Sequence, residues 1–235
     1  MGSNVSVGTT PDLSHESGSD QGTAGTQFLL GLGILAGPFY LGVGLIQAFV
    51  RDGFDLARHP LSLLANGPGG WVQTANFVLG GLMVIAAAVG FARVMGPKSR
   101  AVTWFLGGFG AGMIVAAVFP ADPVDGFPIG TPEGYPTSIS TPGLIHFIVG
   151  TLGFVALAVS CFLAARAMSR RNVRSLARLS FVCGLVVLLG FFGGAAFSAT
   201  LGIWLSVLAG WTWLAVVSFH FYRVVSDPSQ APRAR

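Results

Sequence analysis

The sequence predicts an all-α fold: an integral membrane bundle of six transmembrane helices, with a short interfacial or re-entrant helix after the first span. Three observations carry this reading. Charged residues make up 9% of the chain and hydrophobic residues 52%, with a mean hydropathy of +0.71. An average soluble domain has about 25% charged residues, so this chain lacks the polar surface to face water all round. Six apolar segments each come close to the roughly 20 residues that span a bilayer. The Lys and Arg residues stand at the ends of these segments and form no patch with interleaved aromatics. The net charge of +4 therefore reads as membrane topology, with no nucleic-acid partner.

Residues 1–25 are rich in Gly, Ser and Thr and lack the apolar run of a signal peptide, which predicts a disordered cytoplasmic tail. The transmembrane domain is expected over residues 26–225, with spans near 27–50, 71–94, 101–120, 143–166, 176–198 and 203–224. Pro38 should kink the first span, since it removes one helical donor. Gly33/Gly37, Gly108/Gly112 and Gly190/Gly194 have the small-xxx-small spacing of tight helix crossings. A short turn at 199–202 separates the last two spans, and residues 226–235 form a short cytoplasmic tail. Cys161 and Cys183 lie inside apolar runs without CxxC spacing and read as packing residues. Trp71, Trp104 and Trp204 fall near span ends, as aromatic-belt residues do, while Trp211 and Trp213 lie deeper and should pack.

Orientation follows from the basic residues. Arg93, Lys98, Arg100, Arg166, Arg170, Arg171, Arg174, Arg178, Arg223, Arg233 and Arg235 fall on one side, and Arg51 and Arg58 on the other. The positive-inside rule then puts both termini in the cytoplasm of a cell bounded by this plasma membrane.

Two long outer connections, 51–70 and 121–142, hold Asp52, Asp55, Arg58, His59, Asp122, Asp125 and Glu133, nearly every titratable group that is neither tail nor topology signal. His146 lies about one turn inside the fourth span. The first connection carries Phe54, Leu56, Leu61, Leu63 and Leu64, too apolar for a solvated linker, and Pro60 would bend a short helix there. Asp55 and His59 are four apart, so a helical turn sets carboxylate beside imidazole, an arrangement suited to a general base or a metal ligand. The same residues could simply seat the loop on lipid headgroups. Pro120 and Pro123 hold the exit of the third span extended, with Asp122 aimed toward the His59 region or else capping a helix end. His146 lies among Leu144, Ile145, Phe147 and Ile148, where a polar group faces a cavity or a partner in the bundle. The catalytic candidates are therefore His59, Asp55, Asp122 and His146. Arg58, Ser62, Gln73, Asn76 and Asp125 are candidates for substrate binding. If a divalent metal such as zinc is bound, His59, His146 and Asp122 are its candidate ligands, although their spacing matches no specific zinc motif.

Arg58-His59-Pro60-Leu61-Ser62-Leu63-Leu64, then Gly70-Trp71-Val72-Gln73 with Asn76-Phe77, then Phe119-Pro120 followed by Asp122, and finally His146 opening the next span, resemble a known family. This is the six-span bacterial membrane protein family called domain of unknown function 998. The resemblance runs across roughly residues 27–224 and leaves out both tails. It implies a compact six-helix membrane protein and brings no established reaction with it.

Two functional readings stand side by side. In one, the outer cluster is an intramembrane enzyme site for a lipid-like or isoprenoid-like substrate, since a soluble substrate needs no site sunk among helices. In the other, the protein is an accessory or structural membrane protein that binds a partner through its outer loops. A small transporter ranks below both, because the halves show no internal repeat and the inner half of the bundle is nearly devoid of polar residues.

Overall fold

A computed structural model describes residues 13–197 and 200–227. Within them the chain forms α1 (Leu13–Val50), α2 (Gly70–Met95), α3 (Arg100–Val118), α4 (Thr141–Arg170), α5 (Arg174–Phe197) and α6 (Thr200–Ser226). All six helices contain a stretch long and apolar enough to cross a membrane, and the protein's environment is a lipid bilayer. A helix satisfies its own backbone hydrogen bonds, which is why long apolar segments take this form in a bilayer. Large apolar side chains such as Phe28, Phe49, Trp104, Leu152 and Leu189 point outward, whereas Leu30, Phe91, Leu106, Met168 and Trp213 form a sealed interior. Trp211 and Trp213 pack inside as expected, and Trp71 and Trp104 are exposed at span ends.

Each helix packs on its neighbours in the chain, and α6 returns to pack on α1, so the six close into a ring. Alternation puts the 51–69 and 119–140 connections at one end, here the loop-rich end. The 96–99 and 171–173 connections lie at the opposite, arginine-rich end. α1 is helical from Leu13, within the stretch whose composition predicts a tail. The rest of that stretch, residues 1–12, the turn residues 198–199 and the C-terminal residues 228–235 lie outside the described residues.

Glycines set the closest crossings. A Cβ on Gly81 would meet the Gly110 carbonyl oxygen at 2.6 Å, and one on Gly110 would meet that of Gly81 at 2.7 Å, so α2 and α3 touch backbone to backbone. Gly190 and Gly202 make the same contact between α5 and α6, while Gly33 and Gly37 receive Ser218 and Trp211 of α6. The Gly108/Gly112 pair is different. Gly112 approaches the Val149 carbonyl of α4, but Gly108 faces open space, and the α2–α3 crossing runs through Gly110.

The connection after α1 contains a five-residue 3-10 turn, Leu61–Ala65, in place of a membrane-lying α-helix. Leu61, Leu63 and Leu64 are buried in the protein, with Leu61 seated against Gly44 of α1. The apolarity of this loop thus reflects packing onto α1 and α2, with Pro60 standing at the turn's N-cap.

Candidate functional site

Asp125 and Gly126 form a tight turn at the loop-rich end. Their φ angles are 56° and 87°, and Phe127 N–H donates to the Val124 carbonyl at 3.0 Å to close it. Two successive positive φ values are what a two-residue hairpin turn requires, and Asp-Gly is a favoured pair for it. The turn presents Asp125 to the first connection. Arg58 binds the Asp125 carboxylate through two nitrogens, Nε at 2.9 Å and Nη2 at 2.8 Å, and Nη2 also donates to Glu133. Asp125, and Glu133 after it, hold the Arg58 guanidinium above its ordinary pKa; Arg58 in turn holds the Asp125 carboxyl below the usual carboxylate value.

His59 is 1% exposed, with its ring among those of Phe54 and Phe127. Its Nδ1 accepts from the Asp55 backbone N–H at 2.9 Å, so Nε2 carries the proton and donates to the Asp125 carbonyl at 3.0 Å. Both ring nitrogens are therefore held by backbone. The Asp55 carboxylate does not reach the ring; it accepts from Ala57 N–H at 2.8 Å within its own turn. Arg58, His59 and Asp125 come together, and the group they form is a clasp between the two loops.

Several members of this clasp gave no separate signal in the sequence. Arg51 donates to the Leu64 and Asn66 carbonyls, each at 2.6 Å, and stacks over Phe127 at 5.0 Å. Burial lowers its pKa. Asn66 donates to the Ala121 carbonyl at 3.0 Å. Thr200 and Trp204, on the first turns of α6, donate to the carbonyls of Arg58 (2.9 Å) and Leu56 (3.0 Å), so Trp204 is more than a belt residue. Arg51 reads from sequence as a minor topology charge. The Asp125-Gly126 pair was the local signal that could have found the turn.

The remaining candidates lie elsewhere. Asp122 turns toward the start of α4, where its carboxylate accepts from Ser140 N–H at 3.0 Å, while Ser140 Oγ caps the helix by accepting from Gly143 N–H at 3.0 Å. The carboxylate lies against Gly143, and His146 follows one turn down the same face of α4. His146 Nδ1 lies 2.8 Å from the Phe119 carbonyl and donates to it, so Nδ1 carries a proton. Its ring meets Phe77 of α2 edge to face. Gln73 and Asn76 are buried between α1 and α2, where they join Gln47 and Tyr40. Ser62 is half-buried in the 3-10 turn. Among the described residues, no three His, Cys, Asp or Glu side chains stand together as a ligand set for a metal ion. His59, Asp122 and His146 each meet a different backbone partner.

These features define a multi-pass membrane protein with a clasped pair of loops at one end. The chain matches the family described as Protein of unknown function (DUF998) over residues 34–220, and it belongs to that family. No curated protein and no solved structure matches it.

Proposed function

We propose that this is a plasma-membrane accessory protein, with both termini cytoplasmic, that binds a protein partner through the arm running from Ile129 to the start of α4. One observation carries the reading: the arm's base is fixed while its apolar side chains are free. Glu133 and Asp125 are tied to Arg58, yet Ile129, Tyr135 and Ile139 are 72%, 68% and 66% exposed. A rigid base lowers the ordering cost of binding. The arm contains Pro132 and Pro136, and its one charge is already paired to Arg58. A proline-bearing segment with exposed apolar side chains and no unpaired charge suits an aromatic-lined groove on the partner.

Photo-crosslinking residues placed at Tyr135 and Ile139 in intact membranes test this. A discrete, saturable protein adduct is expected from both, with none from position 59. The adduct from position 135 should weaken when Ile139 is replaced by Ser, and that from position 139 when Tyr135 is, changes that leave Glu133 and the Ser140 cap in place. Crosslinks to lipid alone would overturn the reading.

His146 favours a second reading, an intramembrane site for a lipid-like substrate. Its Nδ1–H···O=C bond orients the ring, and Asp122 stands one turn above as the adjacent acid. Expression of wild type, His146→Gln and Asp122→Asn, followed by profiling of the membrane lipids, distinguishes the two. A lipid change seen with wild type and lost in both variants supports the enzyme; identical profiles sink it.

A further inference from the structure

Buried polar groups need partners, and Gln47 Oε1, Asn76 Oδ1 and Ser218 Oγ receive none from the described residues; the two amide oxygens belong to one polar cluster. Gln47, Gln73 and Asn76 are 5%, 0% and 1% exposed. Gln47 Nε2 donates to Gln73 Oε1 at 2.8 Å and to the Val43 carbonyl at 3.3 Å. Asn76 Nδ2 donates to the Tyr40 carbonyl at 3.0 Å and to Gln73 Oε1 at 3.1 Å. These bonds fix which end of each amide is which, because turning either over would set oxygen against oxygen. Gln47 Oε1 and Asn76 Oδ1 remain, fully buried and without a hydrogen-bond partner. Inside a bilayer no bulk water reaches such groups, so an unmet carbonyl is a standing penalty. Both amides share Gln73 Oε1 and so belong to one cluster. The cluster lies close beneath the loops, since Gln47 is one helical turn from Arg51 and its helix receives Leu61 at Gly44.

We propose that Gln47 and Asn76 form a ligand site in the seam between α1 and α2 that takes a small hydrogen-bond donor, a hydroxyl or an ammonium group. The vacant groups are neutral carbonyl oxygens, which accept from O–H and N–H and repel phosphate or carboxylate. That donor chemistry has two sources, an internal water molecule or the headgroup of a membrane lipid. The site depends neither on the arm nor on the orientation of the bundle.

Protein in lipid nanodiscs separates the sources. One set contains phosphatidylethanolamine and phosphatidylglycerol, whose headgroups donate; the other contains phosphatidylcholine, whose headgroup does not. A lipid ligand gives a retained adduct by native mass spectrometry in the first set and not the second. A water ligand gives water cross-peaks to the Gln47 and Asn76 side-chain amides by NMR in both sets, with no adduct. Gln47→Met keeps the volume and leaves Gln73 Oε1 its Asn76 donor, so the fold should survive. It is expected to abolish the signal observed and to lower the melting temperature by about 3 °C or more. Absence of both adduct and cross-peaks would overturn the proposal. So would a variant that melts higher than wild type, because removing an unfilled acceptor relieves a cost.

Discussion

Asp125 combines two contacts and a turn conformation in one residue. Its carboxylate takes Arg58, its carbonyl takes His59 Nε2–H, and its backbone turns at φ 56°, a region that Asp and Asn enter more readily than most side chains. The carboxyl is held below its ordinary value by Arg58, so the unfolded chain takes up the proton first as pH falls. The ion pair's contribution is therefore fully present above the ordinary aspartate range and is lost as pH drops through the depressed value. Asp125→Asn keeps the turn but not the charge. Thermal unfolding of the two proteins should differ near neutral pH, with wild type the more stable, and converge as pH falls below the ordinary aspartate range and through the depressed value of Asp125. A difference that stays constant across that window would show that the charge plays no part. The sequence put His59 among the catalytic candidates and Arg58 and Asp125 among the binding ones but did not join them, because their contacts bridge 66 or 67 residues. It also suggested that the Asp55 carboxylate would orient His59. A spacing of four gives proximity, and only the local turn decides that the Asp55 backbone N–H occupies the ring nitrogen.

At the scale of elements, backbone contact between glycines decides how closely helices cross. Gly110 and Gly108 lie two residues apart on α3 and should respond oppositely to the same change. A methyl at Gly110 would stand 2.7 Å from the Gly81 carbonyl oxygen and 2.9 Å from Ile85 Cγ1, and a backbone oxygen cannot swing aside. Gly110→Ala should destabilise the bundle by about 1–3 kcal/mol, as overpacking does. At Gly108 nothing lies within 4 Å, so Gly108→Ala should be neutral or gain up to about 1 kcal/mol from helix propensity. Equal melting temperatures for the two variants in the same detergent would count against the Gly81–Gly110 crossing. The four-residue spacing of Gly108 and Gly112 pointed at the wrong pair because it identifies a shared helix face without saying which neighbour that face meets. The first connection carried a similar ambiguity. Its leucines announced burial, but apolarity alone does not separate burial in lipid from burial against α1 and α2.

For the whole molecule, the six spans were legible because the length of an apolar run is a direct consequence of bilayer thickness, and all six recur as helices. Ring closure by α6 on α1 was not, since hydropathy carries no information on which helices touch. Orientation is a third kind of property, set by charge relative to the cell and not by packing. In sequence order, eleven Lys and Arg residues fall on the arginine-rich side against two at the loop-rich end, the bias from which we propose that the former side faces the cytoplasm. The prediction is testable on intact cells. Cys161 and Cys183 are both free and buried, so a cysteine-free background can be made by Cys→Ala at each. Ile139→Cys then reports the exposed arm, and Ser169→Cys the exposed last turn of α4 at the opposite end. A membrane-impermeant maleimide should label position 139 on intact cells and position 169 only after permeabilisation. Neither substitution removes a charge, so neither perturbs the signal that sets orientation. The reverse labelling pattern would place the loops in the cytoplasm and remove the extracytoplasmic partner with them. Labelling of both sites on intact cells would indicate a mixed population and count against the proposed orientation.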